Sequence, residues 1–188
     1  MSGVRLLRAR DRVARPWKNG GGVTRDVAVF PEGADDGSFL WRASVATIAA
    51  AGPFLRFPEI DRALVLLDGE LVAKIGDAAH RLRRGSAALL FAGEDRVSAA
   101  PVGAACTVLN IMTRRGACSA KLGRWEVARP TAADRLLLLA TANAEVAVDG
   151  RRFDLSANDA LLVDVPEGRS LSLDGPVIAA ELFDQFVQ

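Results

Sequence analysis

The chain has 188 residues, of which 50% are hydrophobic and 25% charged, with a formal net charge of +1. That is an ordinary globular composition, long enough for one large domain or two small ones around a substantial core. Near-neutral charge argues against a nucleic-acid binder, no apolar run is long enough to cross a bilayer, and two cysteines do not make a disulfide framework.

The first residues carry charge without an apolar h-region, so no secretion signal is read and a cytoplasmic location is expected. Arg5, Arg8, Arg10, Arg12 and Arg15 form a local basic cluster, read as a solvated segment. Next comes Pro16-Trp17-Lys18-Asn19-Gly20-Gly21-Gly22-Val23-Thr24-Arg25. Glycine tolerates positive φ and lets a backbone pass close to a ligand. Successive N–H groups in such a turn can form an anion nest, flanked here by Lys18 and Arg25. The alternative is a tight turn with no ligand. It is no nucleotide phosphate loop, because Lys18 precedes the glycines.

Strands are expected over Val23–Phe30, Trp41–Ala46, Ala63–Leu67, Leu71–Ile75, Ala87–Phe91 and Thr107–Thr113, then Leu136–Ala140, Glu145–Val148, Ala160–Val163 and Val177–Leu182. Thr131–Leu139 could open with a helical turn, but a turn entering a strand is preferred. Alternation places Val23, Arg25, Val27 and Val29 on one face, so Arg25 is expected on the apolar side. A buried arginine needs a carboxylate, either a protein one such as Asp61 or a ligand's. Arg42 and Ser44 share a face of the second strand. In the loop Gly52–Arg62, Phe54 and Phe57 offer apolar wall, and Arg62 then joins Leu64 and Leu66 on one face. Asn110 aligns with Val108, Met112 and Arg114 and wants hydrogen-bond partners. No comparable polar cluster follows residue 116.

Leu64–Gly93 and Leu136–Pro166 echo one another as strand, strand, turn, basic stretch, polar turn and strand, the second ending in Pro166-Glu167-Gly168. The pattern resembles the central strands of cupin jelly-roll barrels, and two copies resemble an all-β bicupin. The expected units are 1–116, with a ligand pocket, and 117–188, whose last strand could pair with the first unit. Most enzymatic cupins hold a metal on several histidines, but His80 stands alone here, so neither metal nor cofactor is expected. Cys106 and Cys118 lack a placed base, and no catalytic residue is assigned.

The segments Pro16–Val27, Trp41–Arg62 and Leu109–Gly116 together resemble the HutD/Ves family, a likeness spanning roughly Val4 to Phe183. The resemblance implies a metal-free bicupin associated with histidine utilisation, binding an intermediate such as formylglutamate or urocanate and limiting pathway activity. It implies a small-carboxylate pocket in the N-terminal barrel. The motif positions are Lys18, Asn19, Thr24, Arg25, Trp41, Arg42, Ser44, Phe54, Phe57, Arg62, Asn110, Met112 and Arg114, with Gly21 added as a backbone donor from the glycine turn. The expectation is a non-catalytic regulator whose partner is a small carboxylate, with no nucleic acid and no membrane; a homodimer is left open. Two alternatives stand: a metal-independent enzyme using Lys18 or Asp61 as acid or base, and a structural β-protein without ligand.

Overall fold

A computed structural model describes residues 3–165 and 169–185. The expected Pro166-Glu167-Gly168 turn lies outside them. The described chain is β-strand joined by turns, with one short 3-10 segment at Ala9–Asp11. It divides into two compact units, one of Val13–Ala117 and one of Met1–Arg12 with Cys118–Gln188.

Strand β1 (Val4–Leu7) opens the chain. The N-terminal unit contains β2 (Ala14–Pro16), β3 (Gly22–Phe30), β4 (Trp41–Ile48), β5 (Gly52–Pro53), β6 (Ile60–Asp68), β7 (Glu70–Ile75), β8 (Ala78–Arg83), β9 (Leu89–Ala92), β10 (Val97–Pro101) and β11 (Cys106–Arg114). The rest are β12 (Cys118–Trp125), β13 (Arg135–Ala140), β14 (Ala144–Val148), β15 (Arg151–Leu155), β16 (Ala160–Asp164), β17 (Leu171–Asp174) and β18 (Val177–Asp184). Each unit is a pair of antiparallel sheets in the manner of a cupin barrel, so the fold is an all-β bicupin. The N-terminal unit pairs a sheet ordered β2-β3-β4-β11-β6-β9 with one ordered β5-β10-β7-β8. The other unit pairs β1-β16-β13-β18-β12 with β15-β14-β17.

The ten expected strands are β3, β4, β6, β7, β9, β11, β13, β14, β16 and β18, most of them extended by one to three residues at their ends, while β9 starts at Leu89 and not at Ala87. The segment after Thr131 enters β13 without a helical turn; the Thr131 hydroxyl accepts from the Ala133 N–H instead. β18 lies between β12 and β13 of its own unit. The strand drawn from a distant part of the sequence is β1, whose residues Val4 to Leu7 pair with Val163 to Ala160.

The basic N-terminal segment is not simply solvated. Asp159, 5% exposed, accepts from the Ala9 N–H (2.7 Å), Arg8 Nη1 (2.8 Å) and the Ser156 N–H (3.1 Å). Arg12 donates to the Asn158 carbonyl. Burial alone would raise the Asp159 carboxyl; its hydrogen bonds outweigh that and hold it below the usual range. Asp159→Ala would remove three hydrogen bonds, one of them from the Arg8 cation, each contributing about 0.5–3 kcal/mol. A denaturant melt is therefore expected to show a loss of roughly 2–4 kcal/mol. The wild-type advantage should fade as pH falls through the depressed carboxyl value, because protonation removes the same bonds.

Candidate functional site

The glycine-rich turn is built to hold a tryptophan. The Trp17 N–H donates to the Gly22 carbonyl (2.9 Å) and the Gly20 N–H donates back to Trp17 (3.0 Å). Gly20 takes φ of 69°, the left-handed region that favours glycine. At Gly22 a Cβ would lie 2.5 Å from the Thr47 carbonyl oxygen and 3.1 Å from the Trp17 ring. The ring stands edge-on to Phe54 (6.3 Å), and its Nε1 donates to Thr24 Oγ1 (2.8 Å). The Gly21 N–H is taken by Asn19 Oδ1 (3.0 Å). The anion nest expected at the glycines is therefore corrected: the N–H groups of Gly20 and Gly21 are spent inside the turn.

Cross-strand register assembles the rest. Met112 lies opposite Arg42 on one side and Arg62 on the other, and Arg62 faces Phe91. One step along, Asp26, Ser44, Asn110 and Leu64 form the next row. Thr24, Ala46, Val108 and Leu66 form a third. Because antiparallel partners point to the same side, these rows share one face of the sheet. The face grades from charged, through polar, to the apolar cluster that contains Ala46, Leu66 and Val108.

That face opens into a cavity of about 560 Å³. The volume falls within the range of small-molecule pockets. Of the expected residues, Lys18, Asn19, Thr24, Arg42, Ser44, Phe54, Phe57, Arg62, Asn110 and Met112 line it. Trp17, Arg15, Asp36 and Leu55 join them, which the sequence reading did not single out as site residues. Trp17 could have been found from its place beside the glycines. Asp36 carries no comparable signal, because its loop has no period.

Four expected residues lie elsewhere; Trp41 is buried and stacks on Phe30 (6.0 Å) away from the cavity. Arg25 pairs with Val45, and Val45 with Leu109, on the opposite face of the sheet. Both faces are buried, as Val45 and Leu109 show. An apolar face was therefore not enough to identify the cavity face, and the expectation that Arg25 points inward is corrected. Gly21 is consumed in its turn. Arg114 donates to the carbonyls of Phe39 (3.0 Å) and Gly37 (2.8 Å), fastening the loop before β4. Asp61, offered as a partner for Arg25 and as an acid or base, instead accepts from Arg115 (2.8 Å) and does not line the cavity.

The two inward arginines are treated differently. Arg42 is neutralised: Nε donates to Asp26 Oδ1 (2.8 Å) and Nη1 to Asp36 Oδ1 (2.6 Å). Arg15 also contacts Asp26. Arg62 is 9% exposed. It donates to Asn110 Oδ1 from Nε (3.4 Å) and Nη2 (3.3 Å), and from Nη1 to the Leu55 carbonyl (3.1 Å). Its guanidinium carbon sits 5.3, 5.6 and 4.9 Å from the ring centroids of Phe54, Phe57 and Phe91. Among the described residues, no carboxylate pairs with it. Burial, with the Arg42 charge adding, pushes the Arg62 guanidinium down to about 10. The electron-rich ring faces and long hydrogen bonds hold the cation without neutralising it.

Other chemistry has no comparable support. Burial pushes the Cys118 thiol up to about 11 and raises Cys106, so neither is an activated nucleophile. Among the described residues no group of three or more His, Cys, Asp or Glu side chains could hold a metal. No helix among them is long and apolar enough to cross a membrane.

A family model described as HutD matches residues 9–180. Protein Ves of Citrobacter koseri is 43% identical over 109 residues, covering 56% of this chain and 56% of that relative. The match thus spans about half the length of this curated relative. Among solved structures, HutD from Pseudomonas fluorescens SBW25 (formate condition) superposes with a TM-score of 0.86 at 28% identity, over 97% of this chain and 100% of that one. A conserved protein of unknown function from Pseudomonas aeruginosa PAO1 gives the same TM-score of 0.86, identity of 28% and coverage of 97% and 100%.

Proposed function

This chain belongs to the HutD family, and on that premise we propose that it is a non-catalytic binder of a small carboxylate and a regulator of histidine utilisation. Its ligand on this reading is a pathway intermediate such as formylglutamate or urocanate. One observation carries the proposal. Arg62 is a buried cation lining the cavity, surrounded by three phenylalanine rings and, among the described residues, hydrogen-bonded to the neutral acceptors Asn110 Oδ1 and the Leu55 carbonyl. An uncompensated buried charge is costly, and an arginine fork is shaped for a carboxylate. A guest anion would supply the missing partner. Lys18, also lining the cavity, adds positive charge that favours anion entry.

Ligand affinity should follow the guanidinium charge. A carboxylate binds only the protonated form. The Arg62 value in the empty protein is depressed to about 10. Affinity is therefore expected to stay level across neutral and mildly alkaline pH. It should then fall by about tenfold per pH unit above the depressed value. The bound anion favours the charged form, so binding should take up a proton in that alkaline window. Calorimetric titration of N-formyl-L-glutamate and of urocanate across this range, with product analysis of the same mixtures, tests the proposal. Saturable heat without product supports it. Absence of binding by both compounds, or their turnover, contradicts it.

A further inference from the structure

The C-terminal unit contains a second cavity, about 360 Å³, that no motif in the sequence announces. Its place in the fold corresponds to the first. β6 lies between β9 and β11, and β13 lies between β16 and β18. In the N-terminal unit the register sets Arg62 opposite Phe91. In the C-terminal unit it sets Leu136 opposite Val163, and both line the second cavity. The strand that supplies the cation in the first unit supplies a leucine in the second.

A cation is present there nevertheless. Arg169, just before β17, lines the cavity with a side chain 12% exposed. Its Nε and Nη1 are buried and have no hydrogen-bond partner among the described residues. Nε lies 3.3 Å from Asp149 Oδ2, a charge contact that makes no hydrogen bond. The Asp149 side chain is 53% exposed, so water screens much of that attraction. Arg129 stands at the exposed rim, while Leu171 and Val165 extend the apolar wall. Buried guanidinium donors without acceptors are rare in finished structures and call for a partner.

We propose that this cavity is a second binding site, taking a small monocarboxylate with a short aliphatic tail. The carboxylate pairs with the Arg169 guanidinium, with Arg129 adding charge at the rim. The tail packs on Leu136, Val163 and Leu171. The cavity is smaller than the first and its walls offer few polar groups besides the arginines and Thr131. That favours a one-headed ligand over a larger dicarboxylate. The inference does not depend on the role proposed for Arg62.

Sodium butyrate is the probe, and methyl-resolved NMR of the full chain is the readout. The Arg62→Leu protein, in which the first site is disabled, should show saturable shifts of the Leu136, Val163 and Leu171 methyls. The Leu64 and Val108 methyls of the first cavity should stay still. Adding Arg169→Gln should weaken the response at least tenfold. If that variant does not fold, the same three methyls in the wild type decide the question. No saturable shift at them in either protein overturns the site, as does undiminished binding by a folded Arg169→Gln variant. Shifts caused by inorganic phosphate but not butyrate overturn the proposed ligand class.

Discussion

Replacing Arg62 with leucine is expected to abolish carboxylate binding while leaving the empty protein close to wild-type stability. The two expectations share one cause. A carboxylate on a guanidinium fork gains two charge-assisted hydrogen bonds, each contributing about 1.5–3 kcal/mol. Losing both corresponds to a drop of roughly 10²–10⁴-fold in affinity. In the empty protein the same arginine is a desolvated cation with no carboxylate. Exchanging such a group for an apolar one is often neutral or favourable. Set against this are the three ring contacts and the acceptor of Asn110, which is 7% exposed and loses its donors. These opposing contributions should cancel to within about 1–2 kcal/mol in a denaturant melt. Arg62→Lys separates charge from shape. A lysine keeps the charge without the fork, so partial recovery of binding is expected. A destabilised Arg62→Leu protein would show that the arginine is mainly a packing residue.

Gly93→Ala should be among the most damaging substitutions of a single methyl group in this chain. A Cβ there would stand 2.1 Å from the Phe57 carbonyl oxygen and 2.8 Å from that of Ile60. Both are backbone atoms, and both neighbours are bound to Gly93. Its N–H donates to Ile60 (2.6 Å) and its carbonyl accepts from the Phe57 N–H (2.9 Å). Relieving the clash means shifting the Gly93 turn against Ile60 and the loop that carries Phe54, Leu55 and Phe57. A loss of about 3 kcal/mol or more is expected, which for a chain of this size lowers Tm by roughly 6–12 °C. Binding should weaken as well, because the displaced loop supplies two of the rings around Arg62. Gly37→Ala is the control, since its nearest atom would be Asp35 Oδ1 at 3.6 Å. Equal melting of the two variants would remove the close approach at Gly93 from the account.

The central strands were legible because their alternation is strong and their ends carry turn residues. The strands that went unread explain themselves. β8 reads Ala-Ala-His-Arg-Leu-Arg and sits at a sheet edge, where charge is tolerated. β12 includes Gly123 and Lys121 and is likewise an edge strand. β5 is two residues long. The cavity was legible in outline from Arg42, Ser44, Arg62 and Asn110, whose alternation places them together. Arg25 was misplaced because both faces of β3 and β4 are covered. Alternation also put Val29 with Arg25, but a register shift between Asp26 and Ala28 sets Val29 opposite Arg42, on the cavity face. The glycines were misread for a related reason: a close approach can serve a ring of the same chain as readily as a ligand. The second cavity was invisible because Arg169 joins its apolar neighbours through the fold, with no local pattern around it.

A crystal structure of the protein grown with N-formyl-L-glutamate tests the central claim most directly, and the quantity to read is the distance from the ligand's carboxylate oxygens to the Arg62 guanidinium. Two oxygens should lie within hydrogen-bond reach of that fork, inside the ring of Phe54, Phe57 and Phe91. A ligand seated elsewhere, with Arg62 still holding only Asn110 and the Leu55 carbonyl, would contradict it.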